Sequence, residues 1–124
     1  MQNSIHSEDD NTRLGPEQRY ATVAAHLQRR PGVELTVPKK RGLGSMALCV
    51  HNKIFAVLSS TGQLVVRLPK SRVASMVLAG QGERFSLSHG QPMHEWVVVS
   101  SGLEDRWLPL AEEALAFAIA DTKG

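Results

Sequence analysis

Three short apolar runs separated by two turn sequences occupy Leu43 to Leu68, a spacing that suits little besides an antiparallel meander. Met46-Ala47-Leu48-Cys49-Val50 ends at His51-Asn52, a pair suited to a tight turn because Asn tolerates a left-handed backbone. Lys53 to Leu58 follows at once and stops at Ser59-Ser60-Thr61-Gly62, whose terminal Gly supplies the positive φ of a short hairpin loop. Gln63 to Leu68 returns. A period of two places Ile54, Ala56 and Leu58 on one face of the middle strand and Phe55 and Val57 on the other, so both faces are apolar. A half-solvated meander would alternate more cleanly. The strand is therefore covered on both sides within the chain, or its second face meets another chain.

The flanking sequence supplies the cover. Pro16 suits the first position of a helix and Glu17 its positive end, and Tyr20, Val23, Ala24 and Leu27 follow at i, i+3, i+4 and i+7 before the Pro31-Gly32 breaker. Val33 to Val37 alternates and reads as the first strand. Beyond Leu68, Pro69 opens a short helix carrying Val73, Met76 and Val77 and stopped by Gly80. Gly82 to Met93 holds Gly82, Gly90 and Pro92 and reads as a loop, followed by a last strand, Glu95 to Val99. Ser101 and Glu104 have capping-box spacing, and the regular part of the final helix is expected from about Pro109.

The expectation is an α+β domain of two layers, a mostly antiparallel five-stranded sheet with three helices packed on it, over residues 14–121, after a polar tail at 1–13. Tyr20, Val23, Leu27, Ile54, Leu58, Leu64, Val66, Trp96, Val98, Leu115 and Phe117 are its candidate core. A chain of 124 residues can bury such a core without a staple, and its single Cys makes no internal disulfide, which suits a reducing compartment. No apolar run has the length of a membrane span and the acidic start lacks a signal-peptide layout, so a cytoplasmic location is expected, with no membrane partner.

Charge is unevenly placed. Residues 39–84 carry eight cations against Glu83 alone, whereas residues 85–124 carry six carboxylates against Arg106 and Lys123. The two segments either lie against each other, face water, or present a basic patch to a polyanion. Lys39, Lys40, Arg41, Arg67, Lys70 and Arg72 are the candidate patch, the last three beside the free N–H groups that begin the second helix. Aromatic content of 5% leaves few rings for stacking on bases.

Catalytic and metal readings are weaker. Cys49, His51, His89 and His94 are of ligand types that suit zinc, but Cys49 sits between Leu48 and Val50 like a core filler, and the histidines form no short ligand pair. Cys49 lacks an adjacent cation to lower its pKa, and Ser59-Ser60-Thr61 lacks a nucleophile elbow. Gly42-Leu43-Gly44 and Gly80-Gln81-Gly82 lack the third Gly of a phosphate loop. Adjacent Glu112 and Glu113 read as solubilising. No cofactor is expected.

Lys53-Ile54-Phe55-Ala56, Leu64-Val65-Val66-Arg67-Leu68-Pro69, Arg72-Val73, Gly80-Gln81-Gly82, Gly90-Gln91-Pro92-Met93, Glu95-Trp96-Val97, Trp107 and Glu113-Ala114 stand in an order that resembles the TfoX N-terminal/YjbR-like family over about residues 42–120. The resemblance implies a two-layer α+β fold. It also implies a regulatory or binding role, since TfoX regulates bacterial competence and YjbR-like members are described as DNA-binding by analogy. It implies no catalytic residue. Two readings follow: a protein-interaction module, pairing through its sheet with itself or with another protein, or a weak, sequence-independent nucleic-acid binder using the basic patch.

Overall fold

Local turn chemistry and an irregularity between β-strands of the meander together decide which of its side chains the helices cover. The computed structural model describes residues 15–36, 46–86 and 92–123. Its elements in chain order are α1 (Pro16–Leu27), β1 (Val33–Thr36), β2 (Met46–Val50), β3 (Lys53–Leu58), β4 (Leu64–Arg67), α2 (Lys70–Leu78), β5 (Gly82–Ser86), β6 (Pro92–Val99), a 3-10 turn (Glu104–Arg106) and α3 (Trp107–Lys123). The strands form one antiparallel sheet in the order β1-β2-β3-β4-β6-β5. The fold is α+β, with three helices on a six-stranded sheet. The expected tail at 1–13, the end of the first strand at Val37 and the basic run Lys39-Lys40-Arg41 lie outside the described residues.

The β2–β3 turn is local in origin: His51 and Asn52 have φ of 51° and 66°, the paired left-handed backbone that lets a two-residue loop follow the strand twist. Just beyond it the ladder slips, Leu48 facing Ala56 while Cys49 faces Ile54, so Phe55 is an extra residue in β3. This bulge corrects the period-two expectation. Phe55 turns to the same side as Ala56 and Leu58 and is fully buried there, while Ile54 goes to the other side with Val57.

All three helices lie on the Phe55 side. Tyr20, Val23, Ala24 and Leu27 of α1, Val73 and Met76 of α2, and Trp107, Leu110, Ala111, Ala114, Leu115 and Ala118 of α3 share one core with Leu48, Phe55, Leu58, Leu64, Val66, Val97 and Val99 of the sheet. Tyr20 keeps its hydroxyl in that core by donating to the Ala56 carbonyl at 2.8 Å, and burial pushes its phenol pKa up. Four expected core residues, Ile54, Trp96, Val98 and Phe117, are only partly buried.

The sixth strand replaces an expected loop. Gly82 to Ser86 pairs with β6, which starts at Pro92 rather than Glu95. Gly82 is needed there because the backbones approach closely: a Cβ would lie 2.6 Å from Val97 Cγ2 and 2.7 Å from the Val98 carbonyl oxygen. The final helix also begins earlier than Pro109, which is tolerated because it falls in the first turn from Trp107, where its missing N–H has no helical partner to lose. Ser101 forms no cap. Glu104 instead accepts from the Gly102 N–H at 3.2 Å, and its own N–H, then this bond, hold its carboxyl below the usual range. Among the described residues no helix is long and apolar enough to cross a membrane.

Candidate functional site

Because paired residues in a ladder share a face, the register draws the second surface of the sheet strand by strand. One row runs Thr36, Ala47, Val57, Val65, Val98, Glu83 across β1, β2, β3, β4, β6 and β5. It is apolar on the four inner strands and polar on both edge strands. Glu34 faces Cys49, which faces Ile54, and Arg67 faces Trp96. Ala47, Val57 and Val65 are buried, and the partly buried Ile54, Phe85, Trp96 and Val98 pack against them. Among the described residues no helix contributes to this second cluster.

Arg67 would put a charge in the middle of that surface, but its guanidinium is drawn to α3. It lies 5.0 Å from the centroid of the Phe117 ring and donates to Asp121 Oδ2 at 3.2 Å, while its other nitrogen donates to Glu95 Oε1 at 2.9 Å. Lys53 Nζ donates to the same Asp121 oxygen at 2.7 Å. These bonds from Lys53 and Arg67 hold the Asp121 carboxyl below its ordinary value. Arg72 of α2 makes a two-bond fork with Glu113 of α3, at 2.8 and 3.2 Å, which raises its own pKa. His26 of α1 lies 3.5 Å from Glu112.

Basic middle and acidic end therefore meet. Of the six residues of the candidate patch, Arg67 and Arg72 are engaged by carboxylates, Lys70 is exposed at the start of α2, and Lys39, Lys40 and Arg41 lie outside the described residues.

Cys49 and His51 do come close to one pocket, of about 220 Å³, lined by Gly32, Glu34, Cys49, His51 and Asn52. Burial, and then the nearby Glu34 carboxylate, pushes the thiol pKa up, the wrong direction for a nucleophile. Among the described residues no group of three or more His, Cys, Asp and Glu is arranged to hold a metal ion. His94 is exposed on β6, and His89 is outside the described residues.

Sequence reasoning assigned Phe55, Val57 and Val65 to a second sheet face. Val57 and Val65 are there, Phe55 is on the helix side, and Ile54, Trp96 and Val98, expected in the core, belong to this surface together with Ala47 and Phe85, which were missed. The alternation in Glu83-Arg84-Phe85 was the available signal for Phe85, hidden among the turn formers around it. Comparison of the chain with protein-family models, with curated proteins and with solved structures found no match.

Proposed function

We propose that this protein is a protein-interaction module whose docking surface is the second face of its sheet. The observation that carries this is the row across the sheet, apolar on the inner strands and polar at the edges, on the side to which none of the three helices contributes; its centre, Ala47, Val57 and Val65, is buried, and the apolar surface left accessible is that of the side chains around it. Apolar centre and polar rim is the anatomy of a protein interface. Ile54, Phe85, Trp96 and Val98 are partly exposed there, and an aromatic side chain such as Trp96 is the kind of anchor that dominates such contacts. Nucleic-acid binding has less support, because two of the cations it would use are already neutralised by α3.

A surface kept apolar for binding is dispensable for folding, and that is measurable. Replacing Ile54 and Val98 by Thr retains β-branching and removes apolar surface. Urea melts at low protein concentration, where association does not contribute, should show each change to be worth less than about 1.5 kcal/mol. Loss of the folded state in both variants would mean that the apolar side chains serve the fold, and would refute the docking surface.

A further inference from the structure

We draw no further inference here: the strongest candidate, the pocket beside the β2–β3 turn lined by Gly32, Glu34, Cys49, His51 and Asn52, rests on a lone half-buried cysteine, and among the described residues no metal-holding group of side chains and no buried polar side chain without a partner points to what it would bind.

Discussion

The two faces of one sheet show how differently the same residue types can be used. On the helix side Phe55, Leu58, Leu64 and Val66 are all at most 1% exposed and share a core with three helices, whereas on the other side Ala47, Val57 and Val65 are buried but Ile54, Phe85, Trp96 and Val98 around them are left partly open. Composition does not separate the faces, since both are lined by aliphatic and aromatic side chains. What separates them is the supply of helices, each of which has one apolar stripe to bury, all three on the same side. An apolar strand face is therefore evidence of a fully closed core only when a helix remains to cover it.

The strongest way to break this comparison is at two adjacent residues of β3. Phe55→Ala should destabilise by about 3–5 kcal/mol in urea melts, since it empties a fully buried site, while Ile54→Ala, next to it on the other face, should cost less than about 2 kcal/mol. The reverse order would put the bulge in the wrong place. Gly82→Ala comes next, at roughly 1–3 kcal/mol, because its methyl meets Val97 and the Val98 carbonyl and must push β5 away from β6. A neutral result would show that this edge strand adjusts freely.

Smaller effects sharpen the picture on the helix side. Tyr20→Phe should cost about 1 kcal/mol by removing the hydroxyl that satisfies the Ala56 carbonyl, with the ring packing unchanged. Glu113→Gln should change stability by less than about 1 kcal/mol, and the difference from the parent should shrink in high salt, because the Arg72–Glu113 pair is largely exposed. The smallest effect is a pH dependence at Asp121. Its folded pKa lies below its unfolded value, so its contribution is complete above the unfolded pKa of about 3.8 and is lost as pH falls through the folded one. Asp121→Asn should therefore flatten the acid limb of the stability profile below about pH 4 and leave the slope near neutrality unchanged. A difference in slope near pH 7 would rule out this carboxylate as the source.

Much of the fold was legible because its signals are short-range. The periodicity of Tyr20, Val23, Ala24 and Leu27 and the turn at His51-Asn52 need only neighbouring residues to be read, and each is observed where expected. β5 was not legible, because Gly82 looks like a loop residue until β6 lies beside it and makes a side chain impossible. The fate of the cations was equally hidden: Arg67 and Asp121, or Arg72 and Glu113, are 54 and 41 residues apart, and no local pattern announces that they meet.

Sequence alone determined the antiparallel meander and the helical stripes, because backbone turn preferences and side-chain periodicity act over a few residues. Tertiary structure alone decided which apolar residues became core and which became surface. One extra residue at Phe55 exchanged the faces of Phe55 and Ile54, and the helices then covered only the side they could reach together. A strand carries no mark of which of its faces will be covered, since that depends on where distant helices find room to bury their own apolar stripes.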